Sequence, residues 1–215
     1  MMGTIKKGIL GGFSGKVGNV VGASWKSIAY IRSLPSSVRN PRTRKQMSQR
    51  NRFALIGKFM KTIIPVVQVG FKNSAGAGNS AFGAAVSYNI NHAVKGEYPD
   101  FGIDFAKAAV AKGSLYTTNQ VTVACAAGSL TVDWDATVIN NASATDRVMI
   151  IAYNPSKGEA VYDMEAATRN EAHASLALPP AWDGDEVETF MLFVSEDGAL
   201  ASNSIYTGSH EVTVG

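Results

Sequence analysis

From Ser114 onward the chain repeats one pattern: short runs of alternating apolar and polar residues, closed by a turn signal after about ten residues. Residues 120–126 (QVTVACA) precede Ala127-Gly128, and residues 129–135 (SLTVDWD) follow. Residues 147–153 (RVMIIAY) end at Asn154-Pro155-Ser156-Lys157-Gly158, after which comes 159–164 (EAVYDM). Residues 172–178 (AHASLAL) stop at Pro179-Pro180, and 187–195 (VETFMLFVS) stop at Glu196-Asp197-Gly198. A last run leads through Ile205-Tyr206 to residues 212–214. A period of two places successive side chains on opposite faces of a strand, which a helix cannot reproduce. Seven such runs in about 100 residues predict an immunoglobulin-like or fibronectin-like β-sandwich. Trp134, Phe193 and Cys125 are expected in its core. A sandwich carries no chemistry of its own, so function is expected in loops or edges.

The part before Gly113 has a different texture. Residues 3–22 hold seven glycines among Ile5, Ile9, Leu10, Phe13, Val17, Val20 and Val21. Each glycine costs a helix about 1 kcal/mol relative to alanine. The segment is therefore read as an extended, turning arm whose glycines allow close backbone approach. Residues 24–33 (SWKSIAYIRS) alternate like a strand that ends at Leu34-Pro35, with Trp25, Ser27, Ala29 and Ile31 expected on one face. Thr43 and Gln46 have the spacing of a capping box. After them Met47, Phe53, Ile56, Phe59, Met60 and Ile63 recur at helical spacing, and Pro65 ends or kinks the helix. A second helix is predicted around residues 81–94, and the pair is expected to pack on the strand before them. The fold class is thus α+β: a Gly-rich extended arm and a helical hairpin over residues 1–112, then a seven-stranded sandwich over 113–215.

Charge divides at the same place. The formal net charge of +3 conceals +14 over residues 1–112 and −11 over 113–215. Opposite halves of this kind predict distinct partners for each half, or halves that attract each other. Arg39, Arg42, Arg44, Lys45, Arg50 and Arg52 lie within fourteen residues without an acid among them. Such a cluster can neutralise phosphates or dock on an acidic protein surface; no base-reading motif accompanies it.

Catalytic and cofactor chemistry finds no carrier. Gly12-Phe13-Ser14-Gly15-Lys16 lacks the first glycine and the closing Ser or Thr of a phosphate-binding loop. A single cysteine excludes an internal disulfide framework and a cysteine-based zinc site, and three scattered histidines form no ligand set. Asp133 and Asp135 are expected on a solvent face. No catalytic residue, cofactor or metal is assigned. No apolar run approaches the roughly 18 residues that a bilayer demands, and the glycine-broken start lacks the apolar stretch of a secretion signal. No membrane partner is expected.

The opening over residues 2–26 (MGTIKKGILGGFSGKVGNVVGASWK) and the Asn40-Pro41-Arg42-Thr43 block resemble an uncharacterised domain-of-unknown-function family of Bacteroidota and their phages. Ala85-Val86-Ser87-Tyr88-Asn89, Tyr98-Pro99-Asp100-Phe101, residues 153–162 (YNPSKGEAVY) and residues 193–198 (FVSEDG) are similar to the same family. The resemblance implies no activity, cofactor or catalytic residue. The family's association with phage genomes implies a virion or appendage component, with a virion or the bacterial cytoplasm as the expected location. The expectation is a non-enzymatic structural protein whose partners are further copies of itself or other virion proteins, hence a homo-oligomer. Its interface residues are expected to be Ile5, Ile9, Leu10, Phe13, Val17 and Trp25. The alternative is a nucleic-acid-associated protein that uses the cluster from Arg39 to Arg52.

Overall fold

The computed structural model describes residues 4–5, 12–25, 28–37, 40–76 and 78–214. They fall into two compact units, Met1–Gln46 and Met47–Gly215. In the first unit β1 (Thr4–Ile5), β2 (Phe13–Val17), β3 (Val20–Trp25) and β4 (Ile28–Ser33) form an antiparallel sheet in sequence order. Gly18, at φ +58°, makes the turn from β2 to β3. The run expected as one strand over 24–33 divides between β3 and β4. Trp25 stands opposite Ile28 and Ala23 opposite Tyr30. Trp25 therefore shares a face with Ile28, Tyr30 and Arg32, whereas unbroken alternation groups it with Ala29 and Ile31.

Helix α1 (Arg44–Thr62) starts where the capping box predicts. The Gln46 N–H donates to Thr43 Oγ1 at 3.4 Å, and the Thr43 N–H donates to Gln46 Oε1 at 3.4 Å. The chain bends by 94° into α2 (Ile64–Gly70), with Pro65 in the first turn, where its missing N–H costs nothing. Ser80 caps α3 (Ala81–His92) by accepting from the Gly83 N–H at 3.0 Å. A hairpin of β5 (Val94–Glu97) and β6 (Asp100–Ile103) follows. No single helix among the described residues is long and apolar enough to cross a membrane.

The seven runs after Ser114 become β7 (Val121–Ala126), β8 (Ser129–Trp134), β9 (Arg147–Asn154), β10 (Glu159–Thr168), β11 (His173–Ala177), β12 (Glu186–Val194) and β13 (Ile205–Glu211). They make two antiparallel sheets, ordered β11-β8-β7 and β10-β9-β12-β13. Between them lies a core of Leu130, Val132, Trp134, Ile150, Trp182, Met191 and Phe193, with Cys125 packed partly buried against it.

The four-stranded sheet is buried on its other face too. Ile56, Phe59, Met60 and Ile63 of the first helix and its bend share a core with Met149, Ile151 and Tyr153 of β9 and with Phe190, Leu192 and Val194 of β12. The helices thus form a third layer on this sheet, which takes the place expected for the strand before them. The boundary expected at Gly113 separates charge, while packing divides the chain at Gln46/Met47. Apolar burial is the term that makes the helices and the two sheets one body.

Asn89 ties α3 to the segment that leads into the sandwich. It is fully buried, its amide donates to the carbonyls of Ala85 (2.9 Å) and Ala109 (2.8 Å), and its Oδ1 accepts from the Ala109 N–H (2.9 Å). Replacing it with alanine strands the Ala109 backbone groups without partners. Asn89→Ala should lower unfolding stability by about 2–3 kcal/mol in urea melts; a loss below about 0.5 kcal/mol would show that water takes over both bonds.

Candidate functional site

The β1–β4 sheet presents large apolar side chains to solvent on both faces. Register aligns Lys16, Val21 and Arg32 across one face, together with Ala23, Trp25, Ile28 and Tyr30. The other face carries Val17, Val20, Ala29 and Ile31, and the directly opposed Gly15 and Gly22. Ile28 is 67% exposed, Ile31 66%, Val17 55% and Trp25 51%. Among the described residues of Met1–Gln46 only Gly22 is buried. A Cβ there would lie 2.1 Å from the Phe13 carbonyl oxygen and 2.6 Å from its ring, so the Phe13 ring packs straight onto backbone. In the glycine-rich Gly12–Lys16 stretch, residues 13–16 are strand in this sheet, not a phosphate-cradling loop.

Of the expected interface residues, Val17 and Trp25 are exposed and Phe13 is partly buried. Ile5 pairs with Phe13 in backbone register. Ile9 and Leu10 lie outside the described residues, as does Arg39 of the basic cluster. Arg42, Arg44, Lys45 and Arg50 are exposed. Arg52 is half-buried, with its guanidinium 4.7 Å from the centroid of the Phe101 ring. That cation–π contact uses the flat face of the guanidinium. The first turn of α1 holds Arg44 and Lys45 and no acid, the reverse of what the helix dipole favours.

The register reveals an acidic counterpart that period reading does not show. Glu186 stands directly opposite Glu211 on β12 and β13. Glu188, two residues along, shares their face and accepts from the Tyr206 hydroxyl at 2.6 Å. Burial, with the Glu188 carboxylate beside it, pushes the Tyr206 phenol well above its ordinary range. Most other acids of the sandwich are engaged. Asp133 pairs with His173 at 2.7 Å, Asp146 with Arg169, Glu165 with Arg147, and Asp185 with Lys157. Asp135 caps its own loop by accepting from Thr137.

The histidines are likewise occupied by local structure. His92 bonds the Tyr88 carbonyl at 2.7 Å and stacks on its ring, and His210 bonds the Thr207 carbonyl at 3.1 Å. His92 also lines a cleft of about 430 Å³ with Tyr88, Lys107, Lys112, Asn203 and Ser204, in which Lys112 Nζ sits 4.1 Å from the Tyr88 ring centroid. No group of three or more His, Cys, Asp or Glu side chains placed to hold a metal occurs among the described residues.

A family model described as a family of unknown function, DUF6266, matches residues 12–208. The chain belongs to the DUF6266 family. The match spans the sheet of β2–β4, the helical layer and nearly all of the sandwich, so it extends over parts of both compact units. No curated protein matches the chain.

Proposed function

We propose that this DUF6266 chain is a non-enzymatic structural protein that assembles through its N-terminal sheet, as a component of a virion or a similar particle. The observation that carries this is a sheet exposed on both faces, with Ile28 and Ile31 on opposite sides and only Gly22 buried among its described residues. A small sheet needs at least one covered apolar face to be stable, and exposed apolar area of this kind marks an interaction surface. The charge asymmetry supports the same reading, because unlike charges steer and orient subunits. The sandwich is read as fibronectin-like. Its order, with strands one, two and five in one sheet and four, three, six and seven in the other, supports that.

Light scattering should find assemblies at about 50 mM salt that shrink at about 500 mM, and that disappear on removal of residues 1–22. A monomer under every condition overturns the proposal. A second reading, in which the cluster binds a nucleic-acid backbone, draws on one observation: Arg44 and Lys45 in a helix first turn that lacks any acid. Arg42, Arg44, Lys45 and Arg50 of that cluster are exposed, and Arg52 is half-buried beside Phe101.

A further inference from the structure

We infer that the basic, aromatic face of the β1–β4 sheet in one copy seats on the Glu186–Glu188–Glu211 patch of the next copy. This rests on the assembly reading above and names its acceptor. The first unit contains nine Lys or Arg and no Asp or Glu, so pairing two such sheets with each other brings like charges together. An acidic acceptor is required, and the chain itself supplies one.

Among the acids of the sandwich, this patch stands out by register. Glu186 and Glu211 are exposed, directly opposed, and without an ion-pair partner among the described residues. Like charges at such positions destabilise a sheet, and a docked cation removes that penalty. Geometry agrees with the charge. Lys16 and Arg32 share one row on β2 and β4, separated by two strand spacings, or about 10 Å. Glu186 lies about 5 Å from Glu211, and Glu188 about 7 Å further along its strand. Two long cationic side chains span that patch, with Val21 between them and Tyr30 and Ile28 beside Arg32 along its strand to exclude water. Each copy then offers both a sheet and a patch. The contact is heterologous, and it closes into a ring or continues as a filament.

Three double variants test the assignment by light scattering at about 50 mM salt. Glu186→Lys with Glu211→Lys should weaken association about tenfold or more, and so should Lys16→Glu with Arg32→Glu. Mixing these two should restore association between them. Glu97→Lys with Asp100→Lys makes the same charge change at the other directly opposed acid pair, on β5 and β6, and should assemble like the unmodified chain. Glu186→Lys alone turns a like-charge pair into an attractive one. It should leave the melting temperature unchanged or higher while still weakening association, which separates docking from folding. Normal assembly of the Glu186/Glu211 variant, or equal loss in the Glu97/Asp100 variant, overturns this acceptor and leaves the assembly reading standing. A monomeric unmodified chain overturns both.

Discussion

Asp146→Ala should destabilise the protein by about 3–5 kcal/mol, because it leaves a guanidinium buried without its counter-charge. Arg169 is fully buried. Its Nε donates to Asp146 Oδ2 at 3.1 Å, and its terminal nitrogens donate to the carbonyls of Thr117 (3.1 Å) and Tyr116 (2.7 Å). The guanidinium also lies 3.8 Å from the centroid of the Phe193 ring. The same carboxylate accepts from the Ser143 N–H at 2.9 Å, so the alanine strands a backbone donor as well. Urea denaturation measures the loss. Replacing both partners, Asp146→Leu with Arg169→Met, removes the two charges together and should recover a large part of it. A single-variant loss below about 1 kcal/mol would show that water reaches the guanidinium once the acid is gone.

Phe59→Ala should cost a similar amount, about 3–5 kcal/mol, and the loss should register in a part of the molecule that Phe59 does not touch. Its ring is fully buried against Tyr153 (4.6 Å between centroids), Phe105 (5.6 Å) and Phe190 (6.2 Å). The variant opens the helix-side core. Trp134 and Trp182 belong to the core on the other side of the four-stranded sheet. In a Trp25→Phe background, tryptophan emission follows that second core alone, while far-ultraviolet circular dichroism follows the helices. Coincident transitions shifted by the same amount are the expected result for one cooperative unit. A helix signal lost while the tryptophans stay unchanged would make Gly113 a folding boundary after all.

The elements are more legible in the sequence than their assembly. Turn residues such as Asn154-Pro155 and Asp197-Gly198, and the Thr43/Gln46 capping box, report local backbone chemistry that a sequence states directly. What the helices pack on is written less plainly, in the strands themselves. Residues 148–153 (VMIIAY) and 189–194 (TFMLFV) are nearly continuous apolar runs, the mark of strands covered on both faces. Taking them as half-buried alternation hides the need for a third layer. The run over residues 24–33 carries neither glycine nor proline, so alternation reads through it as one strand and misplaces Trp25. The contact of Arg52 with Phe101 is hidden in the sequence because the ring comes 49 residues later. The Glu186–Glu211 pair joins the far ends of two successive strands, 25 residues apart, and depends on a register that no local pattern encodes.

The composition of the first unit has one more consequence. Residues 1–46 contain no aspartate, glutamate or histidine, and so lack every side-chain type whose ordinary titration falls between about pH 3 and 8. Across that range the unit's side chains carry a fixed positive charge. Protons can act on a complex it enters only through the surface it meets, and the acid profile of that complex is the titration curve of the partner.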